Sequence, residues 1–248
     1  MNGKKIRLAK YLAQKGICSR RSAEKLILNH KIKVNGSTIL ANNIGIKVDS
    51  SDVIEFNNQK INSLEVKKLY FLFNKPKNVI CTNKDFKNRK KVIDYFKEFN
   101  TFLYPIGRLD YDSTGLIIVS NDGEFAYKLM HPKFEVVKTY QVLITKTISQ
   151  SDINLMQKGI VLKNNVKTSP CQVKILKNNL KNNHCLVEIK IHEGKKHQVK
   201  NMFKFFNYFV LELKRTQIDC FKLNHIRIGS YQKISQKKIN YFLQKIKK

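Results

Sequence analysis

The chain has 248 residues, 42% of them hydrophobic, enough for one large domain or for a small and a medium-sized domain with buried cores. Its 48 lysines and arginines against 18 acidic residues give a formal net charge of +30, so a polyanionic partner such as RNA or DNA is expected. The composition excludes a disordered chain, and no run of about 18 apolar residues predicts a membrane span.

The five cysteines form no Cys-x-x-Cys pair and have no spacing with histidine that would indicate a zinc site. They are expected to be reduced, mostly buried thiols of a cytoplasmic protein, and the N-terminus has no signal-peptide pattern. No Walker-type or dinucleotide-binding glycine pattern occurs either. We therefore expect neither a metal nor a cofactor.

Residues 1–58 are predicted to form a small α/β domain. Apolar residues at three- and four-residue spacing indicate two short helices, the first closed by Gly16 and the second capped by Ser19. A turn at Asn35 and Gly36, followed by alternating apolar residues, predicts short strands up to Phe56. A generic scaffold of two helices and a hairpin remains the alternative to an RNA-binding domain.

Basic side chains concentrate on the second helix and the strand that follows it. Two arginines fall in the first turn of that helix, where the helix dipole disfavours cations, so an anionic partner is expected. The order of two helices and a hairpin resembles an S4 RNA-binding domain, which implies that the RNA contacts of this domain are Arg20, Arg21, Lys25, Lys31 and Lys33.

A polar linker is predicted at residues 59–67, followed by a second domain at residues 68–232. Strands outnumber helices there, and several are joined too tightly for parallel crossovers, so we expect an α+β fold with a mixed, largely antiparallel sheet flanked by helices. The predicted strands cover residues 69–73, 104–106, 116–120, 136–144, 172–176, 185–191 and 209–213. The predicted helices cover residues 92–99, 124–130, 150–159 and 198–206.

Residues 233–248 are predicted to form a basic C-terminal tail. Lysines dominate this segment. It is interpreted either as an extension that contacts RNA or as a solvated charged helix.

The segment 107–123 holds three of the ten glycines of the chain, placed around Asp110 and Arg108 and just before an apolar strand. Such a segment is expected to hold a carboxylate in a fixed position beside an anionic ligand. The neighbouring Asp112 and Asp122 are interpreted as turn or capping residues.

A second basic stretch follows the first strand of the second domain. Pro76 ends that strand and would leave Lys75 and Lys77 at its end. Asn78 is expected to adopt the left-handed conformation of the turn, which asparagine tolerates better than most residues.

Two further segments contain candidate side chains. Tyr140 begins a predicted strand, where a tyrosine is more often a packing residue than a functional one. Residues 193–202 combine a strand end, a glycine turn and a basic helix start, which would form a phosphate-binding cradle. In that segment His197 is interpreted as a phosphate-binding or capping partner rather than a general base.

These segments together resemble the motifs of the pseudouridine synthases, in particular the branch that modifies ribosomal RNA and carries an N-terminal S4 domain. The resemblance implies that Asp110 is the essential catalytic carboxylate and that Lys200 is the cation that pairs with it. It also implies that Tyr140 stacks on the target base and assists proton removal. Arg108 would fill the space that a flipped-out nucleotide leaves.

In the second domain, the resemblance implies a set of RNA contacts drawn from all four segments. They are Lys75, Arg108, Lys138, Lys195, Lys196, His197 and Gln198.

The implied function is isomerisation of a specific uridine in ribosomal RNA, by a monomer that needs no cofactor and no metal. Large-subunit RNA is favoured over small-subunit RNA, and the RNA would belong to a pre-ribosomal particle or fragment. One alternative is an S4-type RNA-binding or ribosome assembly factor with a catalytically idle synthase fold. A hydrolase or nuclease would need a second acidic cluster or a metal site.

Overall fold

The computed structural model describes residues 5–61, 66–180 and 183–246. Within them the chain forms two compact units. The first comprises Met1–Leu69, Glu98–Leu103 and Asn121–Gly123, and the second comprises Tyr70–Lys97, Tyr104–Ser120 and Glu124–Lys248.

The α-helices are α1 (Leu8–Gln14), α2 (Arg20–Leu28), α3 (Gly123–Met130), α4 (Gln150–Lys158), α5 (Gln198–Phe205) and α6 (Gln236–Lys245). The strands are β1 (Ile6–Arg7), β2 (Ile32–Val34), β3 (Ser37–Thr38), β4 (Lys47–Val48), β5 (Ile54–Phe56), β6 (Gln59–Lys60), β7 (Tyr70–Lys75), β8 (Tyr104–Ile106), β9 (Thr114–Ser120), β10 (Lys138–Ile144), β11 (Val161–Leu162), β12 (Val166–Lys167), β13 (Gln172–Leu180), β14 (His184–Ile191), β15 (Val210–Ile218), β16 (Phe221–Lys222) and β17 (Tyr231–Lys233). None of the helices in the described residues has the length and apolar character needed to cross a membrane.

The first unit begins with the two predicted helices. Gly16 follows α1 with φ 73, and the Ser19 hydroxyl accepts a hydrogen bond from the N–H of Ser22 at 3.1 Å, so both predicted helix boundaries are confirmed. Four strands form a sheet in the order β3-β2-β5-β6, with the predicted turn between β2 and β3, and β1 pairs separately with β4. Strand β6 lies inside the predicted linker, which is therefore partly structured; residues 62–65 of that linker lie outside the described residues.

The second unit is built on one large sheet in the order β13-β14-β10-β15-β9-β7-β17, with β8 and β16 paired at its side. Strands β15 and β9 run parallel, and the other pairs are antiparallel. The predicted α+β fold with a mixed, largely antiparallel sheet is confirmed. Helices α4 and α5 bury apolar side chains against β10 and β14, while α3 and α6 do so against β7 and β9.

Several predicted elements have different bounds or geometry; for example, the strand predicted at residues 172–176 is β13, which continues to Leu180. Strand β15 continues to Ile218, although the prediction ended at residue 213, because the polar run that follows hides the alternation of buried positions. The predicted helix at residues 92–99 is a short 3₁₀ helix, Val92–Phe96.

The predicted basic tail is instead part of the second unit. Strand β17 pairs with β7, and α6 buries Ile239 and Phe242 completely. The Phe242 ring packs against Phe125 and Phe221, with centroid distances of 5.5 and 5.4 Å. The segment therefore contains the helix that one interpretation expected, but this helix packs on the core through a narrow apolar face that its lysines conceal in the sequence.

Candidate active site

One cleft in the second unit has a volume of about 630 Å³ and brings together the motifs that are separated in sequence. Its walls come from the 107–113 loop, the start of β10, residues 191–199 and the middle of β15. Asp110 and Tyr140 are among its lining residues, and Lys200 approaches Asp110 from helix α5.

Two basic side chains contact the Asp110 carboxylate. Its Oδ2 atom lies 3.1 Å from Nδ1 of His197 and 3.6 Å from Nζ of Lys200. His197 precedes α5 with φ 52, and its side chain makes no capping hydrogen bond to the helix. The capping interpretation of His197 is therefore wrong, because its ring faces the carboxylate.

Lys200 pairs more closely with Asp112 than with Asp110. Its Nζ lies 2.5 and 2.7 Å from the two carboxylate oxygens of Asp112. The hydrogen bond from Lys200 holds the pKa of Asp112 below its ordinary value. The sequence analysis treated Asp112 only as a turn residue, whereas its ion pair also fastens the 107–113 loop to α5.

Lys75 is fully buried and does not lie on the surface at the end of β7. Its ammonium donates hydrogen bonds to the carbonyl oxygens of Pro76 (2.9 Å), Val79 (2.9 Å) and Tyr111 (3.4 Å). Burial lowers the pKa of Lys75 to about 8. The prediction that Lys75 contacts RNA is wrong, and its role is to support the 107–113 loop from beneath.

The turn after β7 provides further support for that loop. Asn78 adopts φ 62, as predicted, and its N–H donates to the carbonyl of Tyr111 at 2.8 Å. The N–H of Leu109 donates to Sγ of Cys81 at 3.4 Å. Backbone groups on both sides of Asp110 are therefore fixed from the segment that follows β7.

Tyr140 faces Arg215 across a β-bulge. The pairing of β10 with β15 shifts between Thr139 and Tyr140, so that Thr216 has no counterpart and Tyr140 lies directly opposite Arg215. The Tyr140 hydroxyl lies 3.5 Å from Nη1 of Arg215. Arg215 is only 4% exposed, and its Nε donates to the carbonyl of Leu116 in β9 at 2.8 Å. Bulges often lie beside active sites because they redirect a side chain.

The Tyr140 side of the cleft is rich in buried positive charge. Nη2 of Arg215 has no hydrogen-bond partner among the described residues. Lys138 donates to the carbonyls of Val136 and His192 at 3.2 and 3.1 Å, and burial together with the nearby Arg215 lowers its pKa to about 8. Sequence reasoning missed Arg215, although it is one of only seven arginines and lies among strand residues.

The turn between β14 and α5 is organised by Glu193. Its carboxylate accepts from the N–H of Ser169 at 2.8 Å, pairs with Nζ of Lys195 at 2.9 Å and accepts from the Gln198 side chain. Gln198 also accepts from the N–H of Lys195 at 3.0 Å and is 3% exposed. Gln198 lines the cleft while its side chain bonds within the turn, so its RNA contact stays a prediction, and one N–H of the predicted phosphate cradle is already bonded there.

The other predicted RNA contacts differ in exposure but remain reachable from solvent, so they stay predictions. Exposed members are Arg20, Arg21, Lys25, Lys31, Arg108, Lys195, Lys196 and His197, and Lys33 and Lys138 are half-buried. Within the described part of the chain, no group of three His, Cys, Asp or Glu residues could hold a metal ion.

Two family models match the chain. One, described as RNA pseudouridylate synthase, covers residues 69–205, and the other, described as S4 domain, covers residues 6–54. The first spans more than half of the chain and contains Asp110, Tyr140 and Lys200. The chain therefore belongs to the RNA pseudouridine synthase family, enzymes that isomerise uridine in RNA to pseudouridine.

Individual relatives match almost the whole chain. It is 40% identical over 229 residues to the ribosomal large subunit pseudouridine synthase B of Bacillus subtilis (strain 168), covering 92% of each protein. It is 32% identical over 231 residues to the dual-specificity RNA pseudouridine synthase RluF of Escherichia coli (strain K12), covering 93% of this chain and 76% of that protein. A crystal structure of a pseudouridylate synthase matches with a TM-score of 0.68 and 28% identity, over 96% of this chain and 99% of that chain. The predicted family and enzyme class are confirmed.

Proposed function

We propose that this protein converts a uridine of large-subunit ribosomal RNA to pseudouridine, with Asp110 as the catalytic carboxylate. The observation that carries the proposal is the position of Asp110, which lines the cleft and is contacted by His197 and Lys200. The large-subunit target is supported by the name of the Bacillus subtilis relative, which matches over nearly the full length of both chains.

The reaction breaks the bond between C1′ and N1, turns the base while it stays bound and forms a bond between C1′ and C5. N1 gains a proton and C5 loses one, so no redox step or energy source is needed. An ionised carboxylate serves each route to this product: attack on the sugar, attack on the base or removal of a sugar proton. Asp110 fills this role in the proposal.

The residues around Asp110 have distinct roles in the proposal. Lys200 and His197 hold the carboxylate in position, and the Lys200 ammonium neutralises part of its charge. The half of the cleft that contains Tyr140 receives the uracil ring, on which the Tyr140 ring stacks. Arg108 is exposed at the cleft and occupies the space of the flipped-out nucleotide.

The proposed substrate form is ribosomal RNA in a pre-ribosomal particle or fragment, and the proposed enzyme is a monomer that acts in the cytoplasm. The five free cysteines support a reducing compartment. The S4 domain supports RNA docking apart from the cleft.

The first test replaces Asp110 with asparagine, which keeps the shape of the side chain but removes its charge. Release of tritium from C5-labelled uridine in a large-subunit rRNA transcript should fall by a factor of about 1000 or more, equivalent to roughly 4 kcal/mol of transition-state stabilisation. RNA binding should persist. Activity within tenfold of the unmodified protein would contradict the assignment.

Asp112→Asn is the matched control. Asp112 also touches Lys200 but is 66% exposed, and an exposed ion pair contributes only about 0–1 kcal/mol. Tritium release should therefore change less than about tenfold.

The target is identified by mapping the pseudouridines of both rRNAs in cells with and without the gene. A pseudouridine of the small-subunit rRNA that is absent only from cells without the gene would overturn the large-subunit proposal.

A further inference from the structure

Residues 82–91, here called the basic loop, project from the second unit between β7 and the 3₁₀ helix Val92–Phe96. At its tip, the side chain of Phe86 is 100% exposed, more than any other large hydrophobic side chain among the described residues. Single exposed apolar residues are common on protein surfaces and need no explanation by themselves. Three further properties distinguish this one.

The first property is charge. The eight residues 84–91 contain five cations and a single carboxylate, and Asp85 is already paired with Arg89. A phenylalanine in such surroundings is poorly suited to an apolar protein partner, whereas stacking aromatic rings beside cations are what proteins use to bind single-stranded nucleic acid. The cations are Lys84, Lys87, Arg89, Lys90 and Lys91.

The second property is a fixed backbone. Asp85 accepts from the N–H groups of Lys87 and Arg89 at 3.2 and 2.9 Å and binds the Arg89 guanidinium through both carboxylate oxygens. Hydrogen bonds from Arg89 lower the pKa of Asp85 to about 2, so the pairing persists at any physiological pH. The backbone of Phe86 lies between these anchored residues and is held in a defined position, which reduces the backbone entropy lost on binding.

The third property is the place where the loop is attached. Its neck is closed by hydrogen bonds from Ile80 N–H to the Lys90 carbonyl at 3.0 Å and from Val92 N–H to the Ile80 carbonyl at 2.9 Å. Cys81, at the foot of the loop, accepts from the N–H of Leu109, next to Asp110. The foot of the basic loop is therefore bonded directly to the segment that carries Asp110.

We propose that the basic loop is an RNA-binding element in which Phe86 stacks on an unpaired base of the substrate near the target uridine. Lys84 and Lys87, which flank Phe86, contact phosphates on either side of that base, whereas Arg89 and Lys91 are paired with Asp85 and Asp94. The proposal rests on the proposed function for its RNA substrate, but it assigns the loop a role in binding and none in the chemical step.

The test uses the absence of tryptophan from this chain. In the Phe86→Trp variant the introduced residue is the only tryptophan of the sequence, and its indole ring can still stack on a base. In an Asp110→Asn background, titration with a large-subunit rRNA transcript should quench its fluorescence, because a stacked base quenches an indole ring. Tyr241→Trp in the same background is the control, since Tyr241 is 58% exposed on α6, outside the loop; it should respond much less.

Kinetics in the otherwise unmodified enzyme give the second readout. Phe86→Ala should raise the KM for the rRNA transcript by about 5- to 100-fold, as expected for one lost base–aromatic stack, with kcat unchanged within twofold. Phe86→Trp should stay within about threefold of the unmodified enzyme, because an indole ring also stacks on a base.

Two outcomes would overturn the proposal and would favour a protein partner for the loop. One is an unchanged KM in Phe86→Ala, and the other is unquenched tryptophan fluorescence of Phe86→Trp at saturating RNA. Since the titration measures RNA binding and not turnover, its outcome is independent of whether Asp110 is the catalytic residue.

Discussion

At the scale of single residues, the site combines side chains that the sequence identified with others that it placed wrongly or missed. Asp110 and Tyr140 line one cleft, as their motifs led us to expect. Lys75 and Gln198 belong to the other two motifs but are buried and hold loops in place. A motif therefore identifies residues that a site requires without saying whether each one touches substrate or supports a residue that does.

Lys75 gives a prediction about pH and stability. In the folded chain it releases its proton near pH 8, whereas lysine in an unfolded chain retains it to about pH 10.5. Between these values the unfolded state binds more protons, so the free energy of unfolding rises with pH. Relative to Lys75→Met, the free energy of unfolding of the unmodified protein should rise by at most about 3 kcal/mol between about pH 8 and pH 10.5. This gain should be lost again as the pH falls back through 8.

Urea denaturation of both proteins across this pH range measures the difference. Lys77→Met is the control, because the Lys77 side chain is half exposed and remains solvated. A stability difference between the unmodified protein and Lys75→Met that stays flat with pH would show that folding does not lower the pKa of Lys75.

At the scale of secondary-structure elements, the site depends on the junction of β9, β10 and β15. The parallel contact of β9 with β15 places Gly115 against the backbone of Arg215, and the bulge in β15 places Arg215 opposite Tyr140. Hydrophobic periodicity could not reveal this junction, because it involves a polar stretch of β15 and a pairing between strands about one hundred residues apart. Hydrophobic periodicity also did not reveal the buried face of α6, because that narrow apolar face lies among lysines.

Gly115→Ala tests the importance of this junction. Gly115 has φ 104, and an added Cβ would lie 2.2 Å from the Arg215 carbonyl oxygen, so the two strands would have to separate. We expect a loss of about 3 kcal/mol or more in the free energy of unfolding, measured by urea denaturation. Gly194→Ala is the control, because no atom lies within 4 Å of the place that an added methyl group would occupy; similar losses in both variants would refute the steric argument.

At the scale of the whole molecule, the charge of +30 and the S4 domain predict that RNA affinity is strongly electrostatic. Arg20 and Arg21 are exposed at the start of α2, where an anionic partner compensates for their unfavourable position in the helix dipole. The double variant Arg20→Ala, Arg21→Ala should raise KM for the rRNA transcript and leave kcat unchanged. The slope of log affinity against log salt concentration should become shallower by about 2.

The matched control removes the same charge elsewhere in the first unit. Lys47 and Lys60 are exposed on β4 and β6 and are not among the predicted RNA contacts. The double variant Lys47→Ala, Lys60→Ala should change KM and the salt slope much less. Equal effects of the two double variants would mean that RNA affinity depends on net charge and not specifically on the two α2 arginines.

The sequence by itself determined the family, the α+β class, the caps and turns of the first unit and the position of Asp110. These features follow from local patterns: glycines and asparagines where the backbone is left-handed, apolar spacing along helices, and short motifs with a fixed order. The tertiary structure alone decided the partners of those residues. It pairs Lys200 with Asp112 and His197 with Asp110, and it sets Arg215 opposite Tyr140. Ion pairs and strand registers such as these depend on packing between segments that are remote in sequence.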